Sequence, residues 1–135
     1  MAKSHSNPES IHRPHNDAYS HVVVVESGRL AFLSGQVAFD REGRVLGGDD
    51  VGQQARHAYR NLRSAIEALG ATTADIVKLT TFVVGDAHRL LPAVGAARDE
   101  ILALDGPMPA STLVGVTSLA TPDLLIEVEA VVLLD

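Results

Sequence analysis

Two glutamates near the end of the sequence are the side chains best suited to catalysis. Glu127 and Glu129 alternate with apolar residues in the run Ile126-Glu127-Val128-Glu129-Ala130. Such alternation is typical of a β-strand and places both carboxylates on one face, together with Leu125 and Val131. A carboxylate on an otherwise apolar face needs partners, because burial disfavours its charged form. It can orient or activate water for attack on a C=N bond, or it can be a structural acid bonded to backbone amides or to a neighbouring subunit.

Other groups that can contact a small ligand lie in three further segments of the sequence. Ser34 offers a hydroxyl, and Gly35 permits close approach of a ligand, although a glycine also suits a bulge or tight sheet packing. Tyr19 can stack on a ligand or hydrogen-bond to it, or it can be an aromatic residue at a subunit interface. Ser111 and Thr112 can bind a carbonyl, a hydroxyl or a small anion, or they can satisfy local backbone groups.

The six histidines do not form a recognisable metal-binding pattern. Four of them lie in or near the N-terminal segment, at His5, His12, His15 and His21. The other two are His57 and His88, and no histidine is paired with an acid at a known ligand spacing. The sequence therefore predicts solvated histidines and no metal site.

Composition restricts the classes of function. The 135 residues suit one domain, and the formal net charge of −6 disfavours binding to nucleic-acid backbones. The absence of cysteine excludes disulfides, thiolate catalysis and cysteine metal sites. The first 17 residues lack the apolar core of a signal peptide, and no apolar run is long enough to span a bilayer. We therefore expect a cytoplasmic protein that has no membrane partner.

The pattern of apolar residues predicts an α+β domain over residues 19–135, preceded by a flexible polar tail over residues 1–18. Strands are predicted at His21–Glu26, Leu30–Val37, Ile76–Val84, Thr112–Leu119 and Leu124–Leu134. The first two of these are expected to pair as a hairpin. Helices are predicted from the Asp50 cap to Gly70 and from Leu91 to Leu102, with Pro92 in the first turn of the second helix.

Periodicity gives the first helix one apolar face and one polar face. The apolar face comprises Val51, Ala55, Ala58, Leu62, Ala65, Ile66 and Leu69. The polar face comprises mainly Gln54, His57, Arg60, Asn61 and Glu67. Both helices can cover one face of a single mixed sheet, so the other face is expected to stay apolar and uncovered within one chain.

Four stretches of this sequence, in this order, resemble the RidA family (the reactive intermediate deaminase, or L-PSP, family). The first is Tyr19 followed by Leu33-Ser34-Gly35-Gln36-Val37, and the second is the helix from Gln53 to Asn61-Leu62 that ends in Ala68-Leu69-Gly70-Ala71. The third is Asp75-Ile76-Val77-Lys78-Leu79-Thr80-Thr81-Phe82-Val83. The fourth is Pro109-Ala110-Ser111-Thr112-Leu113-Val114-Gly115-Val116 together with Leu125-Ile126-Glu127-Val128-Glu129-Ala130.

The resemblance implies a chorismate-mutase-like fold and a homotrimer around a central β-barrel, with ligand clefts between the subunits. It implies hydrolysis of reactive 2-imino or 2-enamino acids to 2-oxo acids and ammonia, without a cofactor. It assigns the catalytic role to Glu127, and it places the substrate-binding groups at Tyr19, Ser34, Gly35, Ser111, Thr112 and Leu113. Some members of the family have been described as ribonucleases, which the acidic charge and the lack of a basic stripe disfavour here.

The sequence departs from the RidA pattern at one important position. Active deaminases carry an arginine directly after the Pro-Ala of the fourth stretch, where this sequence has Ser111. That arginine forms a bidentate clamp on the substrate carboxylate, and serine has neither its charge nor its geometry. We therefore expect a RidA-like imine or enamine hydrolase with altered substrate choice, or else a non-catalytic trimer that binds a small metabolite.

Overall fold

The computed structural model of the chain describes residues 2–135. Its six strands are β1 (Lys3–Ser6), β2 (Val22–Val25), β3 (Arg29–Gln36), β4 (Ile76–Val84), β5 (Ala110–Val116) and β6 (Ile126–Leu134). Its two α-helices are α1 (Val51–Ala68) and α2 (Ala87–Leu102). Short 3₁₀ turns lie at His15–Asp17 and Thr73–Asp75.

A four-stranded mixed sheet in the order β3-β6-β4-β5 forms the centre of the fold. The β4–β5 pair is parallel, and the other two pairs are antiparallel. Both helices pack against one face of the sheet. On that face, β6 contributes the buried side chains of Ile126, Val128, Ala130 and Val132. The predicted α+β architecture with two helices on one face is therefore confirmed.

The first helix begins and ends where its capping residues indicate. The Asp50 carboxylate accepts a hydrogen bond of 3.1 Å from the backbone N–H of Gln53, and Gly70 has a positive φ of 76° just after the helix. The prediction of its polar face is wrong at Gln54, which is fully buried. The buried face also includes Tyr59, whose hydroxyl shares a hydrogen bond of 3.0 Å with Thr81 on β4.

The second helix starts earlier than the sequence predicts. It begins at Ala87, after Asp86 accepts a hydrogen bond of 3.0 Å from the backbone N–H of His88. Pro92 therefore lies inside the helix rather than in its first turn. Proline lacks an N–H, so this position leaves the carbonyl four residues earlier without its usual helical donor.

The N-terminal segment contains regular structure that the sequence reading did not predict. Lys3–Ser6 forms β1 and pairs antiparallel with β2, so the prediction of an irregular tail is wrong for these residues. The predicted hairpin between the first two apolar strands is also wrong, because β2 pairs with β1 while β3 pairs with β6. The physical reason is that β1 supplies hydrogen-bond partners to β2, whereas β3 finds a longer antiparallel partner in β6.

The face of the sheet opposite the helices is uncovered within the described chain, as predicted. Phe32 keeps 77% of its surface exposed, and Leu30 and Val114 are also exposed on their strands. An apolar patch of this kind is typical of a surface that meets another molecule. Neither α1 nor α2, the two helices of residues 2–135, is long and apolar enough to cross a membrane.

Candidate functional site

Glu127 lies on the uncovered face of the sheet, directly against Gly35. The register of β3 against β6 shifts between Leu33 and Gln36, which creates an irregularity at Ser34-Gly35 beside Glu127. A Cβ atom added to Gly35 would lie only 2.6 Å from the carboxyl carbon of Glu127. The glycine is therefore required for this carboxylate to occupy its position, and Glu127 itself is half-buried.

The next residues on the same face form a polar row. Glu127 is opposite Phe82 on β4, and Glu129 is opposite Thr80, so both glutamates lie on the face that their alternation predicts. Lys78, also on this face, donates a hydrogen bond of 2.6 Å from its Nζ to the hydroxyl of Thr112. The candidate residue Thr112 therefore belongs to the uncovered face.

Tyr19 belongs to a different part of the molecule, beside the start of β5. Its neighbour Ser20 is buried and donates two hydrogen bonds, from its backbone N–H to Pro109 O at 3.0 Å and from its hydroxyl to Met108 O at 2.6 Å. The Tyr19 hydroxyl shares a hydrogen bond of 3.1 Å with Nε2 of His12. These contacts fix the tyrosine close to the Pro109-Ala110-Ser111 stretch.

Ser111 and Leu113 point to the helix-covered side of the sheet, away from Thr112. Ser111 is opposite Leu79, and Leu113 is opposite Thr81, and both of these β4 residues are buried under the helices. Successive residues of a strand point to opposite faces, so Thr112 projects to the other side. The three adjacent candidates on β5 are therefore split between two faces.

Six of the seven candidate residues form two separate groups, and Thr112 on the uncovered face belongs to neither. The β6 group comprises Ser34, Gly35 and Glu127, and the β5 group comprises Tyr19, Ser111 and Leu113. On β4, the partners of Ser111 and Glu127 are Leu79 and Phe82, three positions apart. That offset is about 10 Å along the strand, with about 10 Å more across the two intervening strand spacings. One chain does not bring the two groups together.

Three side chains near the β5 group were not among the sequence-predicted site residues. His12 bonds to Tyr19, and Arg98 on α2 donates a hydrogen bond of 3.1 Å from Nη1 to Ala18 O. His21 joins the same cluster, because its ring packs edge-on against Tyr19 with the ring centroids 5.4 Å apart. Within residues 2–135, no three His, Asp or Glu side chains are grouped so as to hold a metal ion. The Arg98 contact carries no local sequence signal, because Ala18 lies 80 residues away along the chain.

Comparison with known proteins assigns the chain to a family. The sequence profile described as endoribonuclease L-PSP matches residues 10–134. The chain belongs to the RidA/L-PSP family. It is 36% identical over 107 residues to the RutC family protein YjgH of Escherichia coli K12, an alignment that covers 79% of each protein. It is 28% identical over 112 residues to a 2-iminobutanoate/2-iminopropanoate deaminase of Dermatophagoides farinae, which covers 83% of this chain and 84% of the relative.

Solved structures of RidA-family proteins share the fold. YyfB of Yersinia pestis, a Rid-family protein of unknown function, superposes with a TM-score of 0.91 at 35% identity, over 99% of this chain and all of that one. RidA of the Antarctic bacterium Psychrobacter superposes with a TM-score of 0.69 at 25% identity, over 86% of this chain and 88% of that one. The order of strands and helices is therefore that of the family.

Proposed function

We propose that this RidA-family protein hydrolyses 2-imino or 2-enamino acids, or related imines, in clefts between the subunits of a cytoplasmic homotrimer. The observation that carries the proposal is the packing of the Glu127 side chain against Gly35 on the uncovered face of the sheet. A deaminase-named relative, 28% identical, supports the class of reaction. Because this chain has Ser111 where active deaminases have an arginine, we expect it to differ from those relatives in its choice of substrate.

The chemistry requires one carboxylate and one water molecule. In the proposed reaction the Glu127 carboxylate orients water and accepts its proton as the oxygen attacks the carbon of the C=N bond. The imine nitrogen gains a proton as the carbinolamine forms, and the proton held by Glu127 then passes to that nitrogen. The C–N bond breaks, ammonia leaves, and the hydroxyl oxygen gives up its proton to solvent as it becomes the carbonyl of the 2-oxo acid, so that Glu127 is again a carboxylate. Water supplies the oxygen, so no oxidant, reductant or cofactor is needed for the balance.

The separation of the two groups supports an intersubunit site. The β6 group and the β5 group lie on opposite faces and on strands that are not neighbours, so one chain cannot close a small cleft around both. The exposed aromatic residue Phe32 lies on the same face as Glu127 and would be covered by a second copy of the chain. Three copies related by a rotation axis would join the groups at three equivalent clefts.

Ser111 shapes the specificity that we propose. A serine offers one hydroxyl donor in place of a guanidinium with five N–H donors, so it cannot hold a carboxylate in bidentate geometry. Beside it, Leu113 supplies an aliphatic wall on the same side of the strand. We expect the cleft to prefer substrates that are more apolar, or that carry their charge elsewhere, than those of arginine-containing relatives.

Ammonia release from imines generated in situ by an amino-acid oxidase tests the proposal. We expect the wild-type protein to accelerate release over buffer for some amino acids of a panel that varies in side-chain size. Glu127→Gln should abolish the acceleration, while Glu129→Gln, the matched change two residues along the same strand face, should retain it. No acceleration across the panel, or full activity in Glu127→Gln, would contradict the proposal.

A second candidate function is binding of a small metabolite without turnover, which the substitution at Ser111 favours. A thermal-shift screen against 2-oxo acids and uncharged analogues distinguishes the two. A tight binder that is recovered unchanged, from a protein with no imine hydrolysis, supports the binding function. Cleavage of RNA that is lost on substitution at the cleft would instead support the ribonuclease activity described for some family members.

A further inference from the structure

We propose that Arg98 on α2 binds the substrate carboxylate in this chain, in place of the arginine that is absent at Ser111. The inference rests on the proposed function, because it assumes a substrate that carries a carboxylate. It begins from the position of the guanidinium, whose Nη1 donates a hydrogen bond of 3.1 Å to Ala18 O, next to Tyr19.

Two observations place Arg98 beside the β5 group. Residues 18–20 lie against the start of β5, because the backbone N–H of Ser20 donates to Pro109 O at 3.0 Å, two residues before Ser111. Arg98 also belongs to α2, which packs with α1 against the covered face of the sheet. Arg98 therefore lies on the side of the sheet to which Ser111 and Leu113 point.

The Arg98 guanidinium has more N–H donors than its hydrogen bonds to Ala18 and Asp99 use. Arginine carries five N–H groups, and Arg98 uses one on Nη1 for Ala18 O, with one on Nε and one on Nη2 directed at the Asp99 carboxylate. Each terminal nitrogen thus retains one N–H for an incoming anion. The Arg98 side chain is only 15% exposed, whereas its partner Asp99 is 69% exposed and can turn into solvent. A partly buried guanidinium binds a carboxylate more strongly than a solvated one, because water screens it less.

Lys78, a basic side chain that bonds directly to β5, is less well placed than Arg98. The Lys78 ammonium bonds to Thr112 on the uncovered face, opposite to the side that Ser111 faces. Arg89, also on α2, is exposed near the start of that helix, about two and a half turns before Arg98. Lys78 is therefore the rival candidate for binding the substrate carboxylate, and Arg89 is the matched control for Arg98.

Steady-state kinetics with 2-iminobutanoate generated in situ test the inference. We expect Arg98→Gln to raise KM about 30-fold with little change in kcat, since loss of a buried charged contact typically has an effect of this order. Arg89→Gln should match the wild type. For an imine that lacks a carboxylate, Arg98→Gln should leave KM unchanged, which a merely structural role would not predict. A KM increase in Lys78→Gln but not in Arg98→Gln would overturn the inference.

A second variant changes the site without removing the arginine. Asp99→Asn should lower KM for the imino acid about 2- to 5-fold, because the guanidinium loses a competing carboxylate in an exposed pair. Arg98→Lys, which keeps the charge but not the forked donors, should give an intermediate KM. If Arg98→Gln fails to fold, unchanged KM values in both Asp99→Asn and Arg98→Lys would overturn the inference.

Calorimetric binding of 2-oxobutanoate separates this inference from the proposed hydrolysis. Binding by a wild-type protein that has no turnover, and its loss in Arg98→Gln, would support Arg98 while removing the hydrolase. Turnover by the wild type with an unchanged KM in Arg98→Gln would remove Arg98 and leave the hydrolase. A wild-type protein that neither binds 2-oxobutanoate nor hydrolyses 2-iminobutanoate would overturn both.

Discussion

The two faces of the central sheet differ in whether the chain itself buries their side chains. On the covered face, the apolar side chains of β4 and β6 are buried by α1 and α2, and the Tyr59 hydroxyl finds its partner Thr81 within the chain. On the uncovered face, Phe32 remains 77% exposed and Glu127 lies against Gly35. The helices of the same chain bury the covered face. The uncovered face exposes apolar and ionisable groups side by side, which is typical of a surface that binds a partner or a ligand.

The difference indicates how the fold divides stability from function. Substitutions of the side chains fully buried between the sheet and the helices should act on the free energy of unfolding, because they create cavities or leave buried polar atoms unpaired. Substitutions on the uncovered face should act on turnover and on association of subunits, with small effects on the unfolding of a single chain.

The largest effect is expected at the contact between β3 and Glu127. Gly35→Ala would place a Cβ 2.6 Å from the Glu127 carboxyl carbon and displace the carboxylate. We expect the rate of imine hydrolysis to fall about 10²- to 10⁴-fold, the range typical for loss of a general base, with the fold retained. Gly95→Ala is the matched control, because a Cβ there would have no neighbour within 4 Å. Equal activity of the two variants would remove the role assigned to this contact.

The next effect compares one large apolar residue from each face. Leu62→Ala on α1 removes a fully buried side chain, and we expect a loss of about 2–5 kcal/mol in the free energy of unfolding measured with urea. Phe32→Ser should change the free energy of unfolding of the dissociated chain by less than about 0.5 kcal/mol, because Phe32 is exposed. Analytical ultracentrifugation should show that Phe32→Ser weakens self-association. A similar decrease in the free energy of unfolding in both variants would contradict the proposed difference between the two faces.

A smaller effect is expected at the Tyr59–Thr81 hydrogen bond. Tyr59→Phe leaves the buried Thr81 hydroxyl without this partner, so we expect a loss of about 1–2 kcal/mol in the free energy of unfolding. Tyr19→Phe removes an exposed hydrogen bond to His12 and should cost less than about 0.5 kcal/mol. Urea denaturation of both variants checks the order, and a larger loss in Tyr19→Phe would contradict it.

Periodicity predicted most of the covered face, and its errors have a physical cause. The apolar spacing in α1 correctly identified Ala55, Leu62 and Ile66 as buried. It misplaced Gln54, whose amide is buried because it donates to Gly48 O and Asp123 O, each at 2.8 Å, and accepts from Leu125 N at 3.0 Å. These partners come from two loops on either side of the helix in sequence, so a pattern of polarity within α1 carries no information about them.

The candidate site was only partly accessible from the sequence. Alternation in β6 correctly placed Glu127 and Glu129 on one face, because the period of a strand is a local property. The same rule, applied to three adjacent residues, already implies that Ser111 and Thr112 diverge. The proximity of Arg98 to Ala18, and of Ser20 to Pro109, depends on packing across about 80 to 90 residues of chain. Such contacts emerge only from the folded arrangement.

The most direct test of the intersubunit site is complementation in mixed oligomers. Glu127→Gln disables the β6 group, and Ser111→Trp fills the space at the β5 group. Each variant alone should be inactive in ammonia release, whereas co-refolded mixtures of the two should recover about one quarter of the wild-type activity, because random pairing restores one interface in four. Recovery of that size is the result that we predict. A mixture no more active than either variant alone would contradict a site built from two chains.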